Sequence, residues 1–243
     1  MKKHSAGFGL IELMVAILLG LIILLGVMQI FISAKNTYLA QNASAAMQED
    51  ARYALSKMIQ EIRMTGMFGC ISTVTPDATA ADFTLAALTP INYVATTVGT
   101  VTTGVLTLLT SDVGANGTTP TWTILTDCVT SPATVSAGAK TATGMVSMPI
   151  RKVIYTYDST NQRLLTTTGT TQSVLISNVT AMSVAFGMAA DTSASTPITS
   201  YTTTPVLMAN IRSVRITLQL SDPNNRVANQ TFNVVAAIRN RLP

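Results

Sequence analysis

The chain has 243 residues, of which 48% are hydrophobic and only 11% are charged, and its formal net charge is +4. Lys2 and Lys3 contribute two of those charges, and the only adjacent basic pair elsewhere is Arg151–Lys152. Binding to nucleic acid needs clustered positive charge, so direct nucleic-acid binding is not expected. Apolar residues recur to the end of the chain, a pattern that disordered chains lack.

A short basic leader, Met1–Gly7, precedes an apolar segment. From Leu13 to Ile32 the only polar side chain is Gln29, and 20 helical residues span about 30 Å, the thickness of a bilayer core. A secretory signal peptide has a shorter apolar region and a small-x-small cleavage site after it, and no such site follows here. The sequence therefore predicts a retained transmembrane helix whose leader stays in the cytoplasm while the remaining chain is exported.

The helical pattern continues past the membrane segment. Gly66 and Gly69 provide a stop, so one helix is predicted over residues 9 to 65, with residues 33 to 69 as its amphipathic half. Its apolar residues recur at three- and four-residue spacing and form a stripe on which a domain can pack. They are Leu39, Ala43, Ala46, Met47, Ala54, Leu55, Met58, Ile59 and Ile62.

Beyond Cys70 the pattern changes to strands and turns, and residues 70 to 243 are predicted to form one β-rich domain. A helix followed by strands implies an α+β fold with a predominantly antiparallel sheet. Turns are predicted at Asp158–Gln162 and Asp222–Asn225, and loops at 112–120 and 189–205. The predicted strands are Phe83–Leu85, Val105–Ser111, Thr121–Thr126, Pro149–Tyr157, Arg163–Thr167, Val174–Met188, Ile211–Leu220 and Phe232–Arg239.

Cys70 and Cys128 are the only cysteines. An even number of cysteines beyond a membrane-crossing segment indicates an oxidising compartment and favours a disulfide between them. The alternative is two buried free thiols.

Glu12 lies inside the apolar segment. An ionised carboxylate there costs about 2.5–3.5 kcal/mol on insertion scales, so such residues are usually functional. Glu12 alone could be an acid that reaches the membrane interface, or one tolerated by a plain signal anchor. Combined with the Gly7–Phe8 junction after a basic leader, it forms a specific pattern.

The segment Gly7–Ala16 resembles the prepilin signal of type IV pilins and type II secretion pseudopilins. The resemblance implies that prepilin peptidase cleaves after Gly7 and that the new terminal residue, Phe8, is N-methylated. It also implies that Glu12 assists assembly by pairing with the terminal amine of a neighbouring subunit. Residues 8 to 32 would then be both the transmembrane helix and part of the filament core.

Arg52–Leu55, Glu61–Cys70 and the ending Ala237–Pro243 extend the resemblance to PilW-type minor pilins. Two positions depart from the family pattern, Gly9 and Phe186–Gly187. The implied function is a minor pilin that primes or caps a type IV pilus and supports motility, attachment or DNA uptake. Its partners would be prepilin peptidase and other minor and major pilins. It would lie in the inner membrane before assembly, with its bulk in the periplasm, and in the filament afterwards, at the tip.

Two other functions fit the same architecture. One is a J-like pseudopilin of a type II secretion system, and the other is an adhesin or receptor at the pilus tip. An enzyme is not expected, because the only histidine, His4, lies in the leader and no glycine-rich phosphate loop follows a strand. No catalytic, cofactor-binding or metal-binding residue is predicted. Asp191–Ser195 has too few acids for a calcium loop, and a solvated loop is favoured there.

Overall fold

The computed structural model describes residues 9–70, 74–111, 119–129, 133–193 and 195–239. Its first element is one continuous helix, α1 (Leu10–Arg63), of 54 residues, or about 81 Å. The predicted single helix is confirmed, with ends two residues or fewer from the predicted ones. Met64 caps the C-terminal end of α1, and its N–H bonds to the carbonyls of Glu61 and Ile62.

The remaining elements form a β-rich domain, here called the β head, that contains one further α-helix. In chain order they are β1 (Val74–Pro76), α2 (Phe83–Leu88), β2 (Ile91–Val98), β3 (Val101–Ser111), β4 (Trp122–Thr126), β5 (Ala133–Ala137), β6 (Val146–Asp158), β7 (Arg163–Thr168), β8 (Thr171–Ser177), β9 (Val179–Ala189), β10 (Ile198–Thr202), β11 (Ile211–Leu220) and β12 (Gln230–Ala237).

The strands form two sheets. Sheet A has the order β1-β5-β4-β6-β3-β2, with β7 pairing a second part of β6 and β8 following β7. Sheet B has the order β10-β9-β11-β12. The described pairings are antiparallel apart from β1 with β5. The predicted α+β class with a predominantly antiparallel head is therefore confirmed.

The main core lies between α1 and the inner faces of the two sheets. Met58 and Ile62 of α1 are fully buried there, as are Tyr155 of sheet A and Phe186 of sheet B. Two tyrosines of sheet A also bond across the core. Tyr93 donates its hydroxyl to the Met182 carbonyl (3.1 Å), and the Tyr157 hydroxyl donates to the Thr180 carbonyl (2.5 Å). These contacts fix the spacing of the sheets as well as filling the core.

A second, smaller core lies under α2. Phe83 of α2 makes edge-to-face contacts with Phe68 and Trp122, with ring centroids 5.6 and 5.5 Å apart. The Trp122 indole donates to the Asp82 carboxylate (3.1 Å). Trp122 is buried in this second core.

Several strand predictions need correction. Phe83–Leu85 is the start of α2, because Phe83, Ala86 and Ala87 share one face at helical spacing and cover the second core. Val174–Met188 is two strands, separated at Asn178, whose φ of 61° breaks the extended chain. The predicted loop 189–205 contains β10. Strands β1, β2, β5 and β10 were not predicted.

Other predictions agree with the fold. β11 has the predicted bounds, and Asp158–Gln162 forms the turn between β6 and β7. In that turn the Asp158 carboxylate accepts hydrogen bonds from the side chain and backbone of Asn161 and from the Thr160 N–H, which lowers its pKa. The predicted loop 112–120 lies mostly outside the described residues.

Candidate assembly site on the N-terminal helix

The first part of α1 touches none of the described elements of the β head. Residues 10 to 32, here called the apolar half, are all exposed, with Leu10 at 81% and Ile30 at 72%. The most apolar window of α1 has a mean hydropathy of 2.9, and none of it is buried. Within the part of the chain that the structure describes, α1 is the single helix long and apolar enough to cross a membrane. Burying this surface therefore requires lipid or other proteins.

Glu12 lies in the first turn of the apolar half. Its Oε2 accepts a hydrogen bond from the backbone N–H of Gly9 (3.0 Å), so the carboxylate caps the start of the helix. Around it, Ile11, Val15 and Leu19 line a shallow apolar groove. Among the residues that the structure describes, no cation forms an ion pair with Glu12. Among the described residues, one carboxylate oxygen of Glu12 therefore has a hydrogen-bond partner and the other has none.

The predicted cleavage and methylation residues, Gly7 and Phe8, lie outside the described residues. The described helix begins two residues after Phe8.

The second part of α1 runs from Ala43 to Arg63 and is here called the packed half. It contacts the β head along its length. Its buried residues are Ala43, Met47, Ala51, Ala54, Leu55, Met58 and Ile62. Near its start, Ser44 accepts a hydrogen bond from the Gln230 side chain (2.8 Å). Near its end, Glu61 accepts one from Thr110 (3.3 Å), and the Gly66 N–H bonds to the Leu109 carbonyl (3.1 Å). None of these three polar contacts was predicted, because each joins residues far apart in sequence.

A disulfide joins Cys70 to Cys128, with Cα atoms 5.5 Å apart. The bridge that the even cysteine number favoured is therefore present. Cys70 follows the end of α1 by a few residues, and Cys128 follows β4. The bond ties the segment after the helix to the sheet beside the second core.

The loop after β9 holds the weak calcium candidate. The Asp191 carboxylate accepts hydrogen bonds from the Ser193 N–H (2.8 Å) and the Thr196 hydroxyl (2.5 Å), and the Thr196 bond is the main cause of its lowered pKa. The carbonyl oxygens of Asp191 and Ser193 both accept from the Arg212 guanidinium, at 3.0 and 3.1 Å. The Arg212 guanidinium thus already binds two carbonyl oxygens of this loop. No group of three or more His, Cys, Asp or Glu side chains suited to a metal occurs among the described residues.

A family model, the prokaryotic N-terminal methylation motif, matches residues 2–28. The chain carries the N-terminal signal of a type IV pilin-like protein. This motif is typical of type IV pilins and pseudopilins. No curated protein and no solved structure matches the chain significantly.

The matched motif and the uncovered surface of α1 largely coincide. The match includes Gly7, Phe8 and Glu12 and ends within the apolar half of α1. A membrane-capable helix, the methylation motif and a disulfide-bonded β head therefore occur in one chain.

Proposed function

We propose that this chain is a minor pilin, a structural subunit that primes or caps type IV pilus assembly and has no enzymatic role. The observation that carries the proposal is the contrast within α1. The apolar half has no partner among the described residues of the chain, whereas the packed half is fixed to a folded head. A subunit built in this way leaves the membrane only when other apolar helices replace the lipid around it.

Processing comes first in this proposal. Prepilin peptidase cleaves after Gly7, and Phe8 becomes the N-methylated terminus. Until assembly the apolar half crosses the inner membrane, with the β head in the periplasm. After assembly the subunit lies at the filament tip among other minor and major pilins, and motility, attachment or DNA uptake depend on it indirectly.

Glu12 sets the position of the subunit in this proposal. Its Oε2 is already bonded to the N–H of Gly9, which leaves Oε1 for a second donor. The amine of Phe8 in a neighbouring subunit is that donor, because both charges are costly in an apolar core and each offsets the other there. The pair forms only when the neighbour is displaced along the helix axis by roughly one helical turn.

The experiment compares Glu12→Val and Glu12→Gln with Glu49→Gln, all in the full chain in its native host. Glu49 is an exposed acid on the packed half of the same helix and serves as the matched control. Both Glu12 variants should insert and be cleaved normally, yet co-purify poorly with other pilins and give few surface pili. Intact mass checks cleavage and methylation, and immunoblotting of membranes checks abundance.

Valine at position 12 removes the insertion cost, so a defect in Glu12→Val cannot come from poorer insertion. Normal piliation with a cleaved and abundant Glu12→Val chain would contradict the assembly role. A retained leader, or a cut near residue 30, would contradict the proposed processing.

The motif is shared with pseudopilins, so a J-like subunit of a type II secretion system is the second candidate. Deleting the chain separates the two functions. Loss of surface pili with normal protein secretion supports the minor pilin, and the reverse outcome supports the pseudopilin.

A further inference from the structure

Strand β2 forms one edge of sheet A. It pairs with β3 from Ile91↔Leu108 to Val98↔Val101 without a bulge, and the order of sheet A ends at β2. The Leu109 N–H bonds to the Pro90 carbonyl. Because backbone groups alternate in direction along a strand, the even-numbered residues of β2 then bond to β3. Tyr93, Ala95 and Thr97 direct their N–H and C=O groups to the outer edge.

This edge lacks the usual protection against pairing. Natural edge strands carry lysine, proline or a bulge, and β2 has none of the three. The sequence from Phe83 to Ser111 contains no charged residue. Residues 94 to 98 are exposed on both faces, and Val94 and Val98, on the same face, are 50% and 74% exposed. Residues 94 to 98 of β2 therefore extend beyond the two-sheet core, and their outer edge is accessible to another strand.

We infer that β2 binds an extended, uncharged strand of another pilin-type subunit, which lengthens sheet A by one strand. The inference rests on the proposed function, because it supplies a contact between heads in the assembled filament. The free backbone groups of Ala95 and Thr97 provide the hydrogen bonds, and Val94 and Val98 select apolar or β-branched side chains in the partner. A charged partner strand is disfavoured, because β2 and its neighbour β3 carry no residue of opposite charge that could pair with it.

A second copy of this chain is not the partner. In antiparallel pairing of two β2 edges, a two-fold axis perpendicular to the sheet would reverse every direction that lies in the plane of the sheet. α1 lies lengthwise on the β head, from the bond between Ser44 and Gln230 to the bridge between Thr65 and Thr110, so this axis would point the two apolar halves in opposite directions. Two copies anchored in one membrane cannot adopt that arrangement.

The experiment places a photo-crosslinking amino acid at Thr96 in the full chain, expressed in the native host. Irradiation should give an adduct whose crosslinked peptide belongs to a different protein with an N-terminal methylation motif. A crosslinker at Thr171, which is exposed at the β7–β8 turn, should not give this adduct. Ala95→Pro removes an outward N–H without removing a bond to β3 and should lower the adduct yield about tenfold. Ala95→Ser keeps the N–H and should leave the yield unchanged.

The Ala95→Pro chain must keep its disulfide and its unfolding temperature, which shows that the head is folded. The inference is overturned if Thr96 gives no adduct, an adduct only with lipid or with the same chain, or one that Ala95→Pro does not reduce. If one of these negative results is found while the Glu12→Val chain fails to assemble, the inference about β2 is wrong but the proposed function still stands. If deleting the chain leaves pili unchanged, the proposed function fails as well.

Discussion

The two halves of α1 belong to one continuous helix, yet their side chains meet different surroundings. The apolar half exposes every residue from Leu10 to Ile32, while the packed half buries seven residues against the β head. The sequence patterns differ in the same way. A helix that is apolar on all sides is typical of a membrane or of a site enclosed by other helices. A helix with one apolar stripe is typical of packing against a partner on that side, with water on the other. The comparison shows that α1 is one secondary-structure element with two separate burial requirements.

The largest expected effect comes from a charge in the packed half. Ala54 is fully buried, and Ala54→Glu places an unpaired carboxylate in the core, which should lower the free energy of unfolding of the head by about 5 kcal/mol. Ala46→Glu puts the same charge on an exposed face of the same helix and should change it by less than about 0.5 kcal/mol. Chemical unfolding of the full chain in detergent measures both. Equal effects would mean that this stripe is not packed.

Removing the disulfide tests how the end of the packed half is held. The bonded cysteines are 58 residues apart, so Cys70→Ser combined with Cys128→Ser should destabilise the head by about 4 kcal/mol in the chain-entropy model. Free-thiol labelling under denaturing, non-reducing conditions checks the bond in the natural chain. Full labelling of both cysteines would show that the bridge does not form.

A smaller effect is expected from shortening one apolar side chain in each half. Met58 is fully buried, so Met58→Ala should cost about 3 kcal/mol of unfolding free energy. Leu21 is 58% exposed, so Leu21→Ala should leave the stability of the head unchanged. A thermal scan of each full-length variant in detergent compares them. A stability loss in Leu21→Ala would indicate a contact between the apolar half and the head.

The smallest expected effect is an acid response of the β head. Hydrogen bonds from the side chains of Ser136 and Thr79 lower the pKa of Asp77 from 3.8 to about 2. Because the folded pKa lies below the unfolded one, the stabilisation is present above about pH 4 and is lost as the pH falls towards 2. Asp77→Asn should be less stable than the natural chain at neutral pH, and this difference should shrink between pH 4 and 2. An equal difference at both pH values would contradict the proposed linkage.

The sequence by itself determined the long helix and its apolar half, and it favoured the bridge between Cys70 and Cys128 over two free thiols. Those features depend on local patterns: uniform apolarity, a 3.6-residue period and an even number of cysteines beyond a membrane segment. Strand β11 was predicted with its observed bounds because apolar and polar residues alternate from Val214 to Leu220. The roles of Gly7 and Phe8 in processing and of Glu12 in assembly stay predictions, which the mass and piliation experiments test.

Only the tertiary structure decided which short segments became which elements. Phe83–Leu85 reads equally well as a strand, and it is helical because Phe83 fills the second core against Phe68 and Trp122. β2 shows no burial alternation after Tyr93, since this part of the strand extends beyond the core and neither face is covered. The parallel pairing of β1 with β5 and the contact of Ser44 with Gln230 join distant residues. Local propensity carries no information about such contacts, because their free energy arises only when the folded chain brings both sides together.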